Sequence, residues 1–180
     1  MGFLLFTSGP TAFPAQAQAA QAPAQKGYVV ALTAYNAVPG QTDSSPLETA
    51  SGAYSNPQII AARSQDLASE LPFGTIIELD GSNTSSGDTC GYSVVAPSIG
   101  YRVIEDTMNA RYTDRVDVLL DTKATYATTD KGMKNAAQVL GICKGVTIRV
   151  VGHVDIHHLP KTQAELAALV GGTKNDLALK

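Results

Sequence analysis

From residue 28 onward the hydrophobic pattern is one of short apolar runs broken by polar turns. Residues 28–35, YVVALTAY, open it with a β-rich run, and a long turn-rich segment follows, punctuated by Pro39-Gly40 and Asn56-Pro57. Residues 58–64 (QIIAARS) read as a short strand and 66–71 as a single helical turn before Pro72. After Gly74, TIIEL at 75–79 alternates as a strand does. The stretch 80–91, DGSNTSSGDTCG, lacks an apolar anchor and reads as a loop. Strands are expected at 92–96 (YSVVA), 101–105 (YRVIE), 115–120 (RVDVLL) and 145–152 (GVTIRVVG). Thr129-Asp130 reads as the cap of a helix from Lys131 to Leu140 that stops at Gly141. Farther on, Thr162 and Glu165 form a capping box for a short helix, TQAELAALV, halted by Gly171-Gly172. Its Leu166, Leu169 and Val170 share one face, so the helix either docks on the body or frays as a tail. Six or seven short strands with little helix predict a mainly β fold, a small barrel with short helical segments.

Composition narrows the class. The 180 residues suit one domain with extensions, and 44% hydrophobic content suffices for a core. A net charge of −3 without a basic stripe argues against nucleic-acid binding. No apolar run approaches the roughly 20 residues of a membrane-spanning helix. The N-terminal residues 1–26 join a short apolar start (Phe3, Leu4, Leu5, Phe6) to an Ala/Gln/Pro stretch. Ala15-Gln16-Ala17 and Ala17-Gln18-Ala19 match a signal-peptidase pattern, so a signal peptide is expected there, with a disordered linker as the alternative. Export to the cell envelope follows from that reading. An even cysteine count permits one disulfide between Cys90 and Cys143, which would anchor the 80–91 loop; two separate thiols, one of them buried, are the other reading.

Two acids stand out. Asp106 ends one apolar run and Asp117 lies inside the next, although an acid in a strand is costly unless exposed, paired or functional. Val116, Val118 and Leu120 share one face of RVDVLL, which leaves Asp117 on the other, facing a partly apolar groove where its pKa would rise. The bland reading is an ion pair with Arg115 or Arg102. Alternation puts Asp106 on the face of Ile104 and Glu105 on the opposite one; Asp106 reads as a second carboxylate or as a loop cap. Carboxylates at such a rim suit glycosidic chemistry. Tyr35 is a candidate sugar-stacking ring, and Thr49 and Ser51 are candidate partners for sugar hydroxyls, next to the flexible Gly52. On a strand, His153, Asp155 and His157 would share a face, a possible metal trio, but without strand character His153, His157 and His158 read as solvated. No metal or cofactor is expected. No GxSxG, P-loop or GxGxxG is present.

Six motifs then fall in a familiar order: TAY at 33–35, TASG at 49–52, IAA at 60–62, LPFGT at 71–75, EDTMN at 105–109 and RVDV at 115–118. Together they resemble the 3D domain, named for three aspartates, of bacterial cell-wall proteins of the stationary-phase survival and resuscitation-factor type. That domain is similar to the catalytic barrel of the lytic transglycosylase A family. The resemblance covers about residues 28–152, leaving 153–180 as a tail with a short helix. It implies a six-stranded double-psi β-barrel, a monomer, that acts on peptidoglycan glycan strands. The β-1,4 bond between N-acetylmuramic acid and N-acetylglucosamine is cleaved without water, leaving a 1,6-anhydromuramyl end. Asp117 resembles the acid/base and Asp106 the second aspartate. The third falls nearest to Asp66, offset by about a residue from the family position. Thr33, Tyr35, Thr49, Ser51, Gly52 and Thr107 are the implied substrate-binding residues. The alternative is a barrel that binds wall glycan or a partner without catalysis; a hydrolase using Asp106 and Asp117 with a water ranks below both.

Overall fold

The computed structural model describes residues 27–84, 90–129 and 132–178, with side chains described as far as 171. The expected signal peptide lies outside the described residues. Six strands close a mixed barrel: β1 (Gly27–Tyr35), β5 (Arg115–Leu119), β2 (Ile60–Arg63), β4 (Arg102–Thr107), β3 (Thr75–Asp80) and β8 (Cys143–His153), in that order around the wall. β1 runs parallel to β5 and β2 parallel to β4, while the other neighbours are antiparallel. Closure leaves none of these strands with an unpaired edge.

Alternation along the strands sorts the apolar side chains into two buried clusters. One gathers Val30, Leu32, Ala61, Ile104, Val116, Val118 and Ile148, with Val95, Ala136 and Leu140 from two short helices, α1 (Tyr92–Val95) and α2 (Ala136–Leu140). The other gathers Tyr35, Ile60, Ala62, Val103 and Leu119 with Leu166 and Val170 of α3 (Gln163–Ala178). Leu166 is fully buried, so the C-terminal helix docks on the barrel rather than fraying. Its first turn is capped as expected, Glu165 N–H donating to Thr162 Oγ1 at 3.2 Å. The helix does not stop at Gly171-Gly172, because a glycine pair weakens a helix without ending one that is already docked.

Arg102 stitches the wall together. Its buried guanidinium donates to the carbonyls of Pro57 (2.7 Å), Ser98 (2.7 Å), Ile99 (2.6 Å) and Leu119 (3.0 Å). Cys90 and Cys143 are joined in a disulfide that ties the end of the 80–91 loop to the start of β8.

Two further expectations are corrected. YSVVA forms α1 and runs into a 3-10 turn at Ala96–Ser98 instead of a strand. Its β-branched composition is overridden by anchors at both ends, with Tyr92 Oη donating to Leu79 O at 2.7 Å and Val95 fully buried. The expected helix from Lys131 is largely a hairpin, β6 (Thr125–Thr128) with β7 (Gly132–Asn135). The helical cap is Asn135, whose side chain accepts the Ala137 N–H at 2.9 Å, so α2 begins five residues later than expected. Asp130 and Lys131 lie outside the described residues. The stop at Gly141 holds, with φ at +62°.

Candidate active site

The site is set by register. Ala62 of β2 lies opposite Asp117 of β5 on one side and opposite Asp106 of β4 on the other. Thr33 of β1 lies opposite Asp117 in turn. Two acids therefore flank a strand whose residue between them is the small Ala62. A cleft of about 970 Å³ opens there, and Tyr35, Thr49, Ala62, Asp106, Thr107 and Asp117 are among its walls.

Asp106 reaches this cleft through a bulge. Ile104 pairs with Ala61, but Asp106 pairs with Ala62, so Glu105 is left without a partner on β2. One extra residue moves Asp106 off the face of Ile104 and onto that of Tyr35 and Ala62, contrary to simple alternation. Three donors converge on its carboxylate: Tyr35 Oη at 2.8 Å, Ala50 N–H at 3.0 Å and Thr107 N–H at 2.8 Å. Asp106 is thus both a cleft residue and a clamp on the loop around Ala50.

Asp117 differs in kind. Its Oδ1 is buried without a hydrogen-bond partner. Burial pushes its pKa up to about 6, the nearby Asp106 charge adding to the effect while the Thr33 hydroxyl and the Arg115 charge oppose it. Neither arginine considered from the sequence pairs with it. Arg102 spends its donors on carbonyls, and Arg115 stacks over the Tyr112 ring at 4.7 Å. None of the ion pairs among the described residues includes Asp117.

The other expected residues divide. Thr49 and Thr107 line the cleft. Tyr35 lines it too, but its ring is buried and its hydroxyl is committed to Asp106, so it positions that acid rather than offering a stacking face. Burial, with the Asp106 charge, drives the Tyr35 hydroxyl far above the usual tyrosine range. Ser51 and Gly52 shape the turn behind Thr49 and lie outside the cleft walls, Gly52 at φ +85°. Asp66 also stands apart. It is exposed and accepts the Asp114 N–H at 2.9 Å, and the Ser64 hydroxyl and that amide hold its carboxyl below the ordinary value. It fixes the loop entering β5, where Asp114 takes φ +47°.

Several wall residues escaped the sequence reading, among them Glu48, Asn109, Arg111 and Tyr112. The Arg111 guanidinium stacks on Tyr112 at 4.8 Å, opposite in sequence to the Arg115 contact, and donates to the Tyr112 hydroxyl at 2.9 Å. Arg-Tyr in the loop between the two acids was the available signal. Beyond His153 the chain turns, and Asp155 bonds His158 Nδ1 at 2.8 Å, so the alternation that would align His153, Asp155 and His157 ends. Among the described residues no three His, Cys, Asp or Glu side chains gather as a metal site. Comparison with protein-family models, with curated proteins and with solved structures found no match to this chain.

Proposed function

We propose that this chain is an exported peptidoglycan lytic transglycosylase whose barrel has the double-psi topology. The observation that carries the reading is Asp117: an acid without an ion pair, raised by burial to about 6, on the wall of a large cleft beside a firmly held second carboxylate. Such an acid keeps its proton at mildly acidic pH and can release it within the cleft. Asp117 gives that proton to the glycosidic oxygen as the bond to the muramyl anomeric carbon breaks. The same carboxylate then takes the proton of the muramyl C6 hydroxyl as that oxygen closes on the anomeric carbon. One proton leaves Asp117 and one returns, so the enzyme ends as it began. Asp106, across Ala62, supplies negative charge towards the cationic sugar ring and helps keep Asp117 protonated.

The acid step needs protonated Asp117, so cleavage of purified peptidoglycan is expected to fall as pH rises through about 6. Asp117→Asn should lose at least about 100-fold in rate at every pH, within the usual reach of acid/base catalysis. Glycan released equally by Asp117→Asn would contradict the assignment. Glycan bound by both proteins and cleaved by neither, at any pH, would favour a binding barrel instead.

A further inference from the structure

The bulge that turns Asp106 into the cleft also buries its neighbour. Glu105 is fully shut from solvent, and neither of its carboxylate oxygens completes a hydrogen bond. An ionised carboxylate stranded in this way carries a penalty of several kcal/mol. Burial accordingly raises its pKa, against the opposing pull of the Ser51 hydroxyl, the Gly74 N–H and the charge of His153. Alternation turns Glu105 away from Asp106 and makes it a weaker candidate acid, and the cleft does not include it.

Its surroundings point to one. Above it lies the turn of residues 49–52. Ser51 N–H donates to the Glu105 carbonyl at 3.1 Å, and the Ser51 hydroxyl is 3.0 Å from Thr49 Oγ1. The same turn sends the Ala50 N–H to Asp106. On the other side Gly74 donates its N–H to Ile104 O at 2.9 Å and packs tightly on the end of β8, where a Cβ would stand 2.4 Å from Val154 O and 2.8 Å from His153 Cε1. The titratable groups near Glu105 are His153 from the end of β8 and Asp106 from its own strand, with Tyr35 reached through Asp106; the turn and Gly74 bring a hydroxyl and an amide.

We propose that Glu105 is a positioning residue: its buried carboxyl fills the space beneath the 49–52 turn and keeps the Ala50 N–H on Asp106. Ionisation would drive the carboxylate towards water and lift that turn off the second acid of the cleft. Its consequence for activity rests on the transglycosylase reading, but the contact itself does not.

The test follows the Ala50 and Ser51 backbone amides by NMR through a pH titration of the whole chain as wild type, Glu105→Gln and Asp106→Asn. Asp117→Asn is carried in each, so that Asp117, itself titrating near 6, adds no step, and a step above the ordinary carboxylate range is expected with Glu105 intact. Glu105→Gln, a neutral isostere, should lose the step above the ordinary carboxylate range, and Asp106→Asn should keep it. Unaltered titration in Glu105→Gln, or loss of the upper step in Asp106→Asn, would overturn the proposal; the second comparison decides alone if Glu105→Gln does not fold. Loss of the step in Glu105→Gln, when the chain with Asp117 intact cleaves no peptidoglycan, would sink the transglycosylase reading and leave this one standing.

Discussion

Asp117 and Asp106 show how position, rather than residue type, divides labour between two acids. Asp106 meets three donors, whereas Asp117 has a buried oxygen with none. The raised pKa of Asp117 has a sign that stability must obey. A carboxyl that titrates near 6 in the folded chain and near 3.8 when unfolded favours folding fully below about 3.8, and that contribution is lost as pH rises through about 6. Asp117→Asn should therefore melt close to wild type at pH 4 and be more stable at pH 7, by up to about 3 kcal/mol. Thermal melts across that range check it; a difference independent of pH would contradict the burial of this acid. The sequence exposed Asp117 well, because Val116 and Val118 mark the buried face around it. It misplaced Asp106, since a bulge depends on which residue of β2 stands opposite, and nothing in EDTMN announces that.

At the scale of elements, the site is three adjacent strands with a small residue in the middle. Ala62 separates the acids, and its size keeps the cleft floor open between them. Ala62→Val should cost about 1–3 kcal/mol in stability through overpacking. It should also lower kcat/KM on peptidoglycan roughly tenfold or more by crowding substrate out of register. Melting curves and digestion rates measure the two effects, and unchanged turnover would mean that substrate does not lie across β2. Strands with clear periodicity, such as residues 28–35 and 115–120, were legible because each hides one face. YSVVA was not, because Tyr92 and Val95 are β-like in type while their contacts with Leu79 and the core demand a helical turn. The hairpin before α2 was hidden for a similar reason, with Asn135 supplying a cap that its neighbours obscure.

For the whole molecule, barrel closure brings together segments far apart in sequence: the turn at 49–52, β2, the β4 bulge and β5. The cleft walls from residues 40–55 and 109–112 were illegible in advance, because loops without apolar periodicity reveal their position only once the strands they join are paired. The same closure leaves Asp66 on a separate loop, so of the three candidate aspartates Asp106 and Asp117 line the cleft and Asp66 does not. A pair of this kind serves either ring closure by the sugar's own hydroxyl or attack by water. The two outcomes differ in one atom. Digestion of purified peptidoglycan in heavy-oxygen water, with products weighed by mass spectrometry, distinguishes them directly. Anhydromuramyl ends with no heavy oxygen are expected from wild type and not from Asp117→Asn. Reducing muramyl ends that carry the heavy oxygen would contradict it.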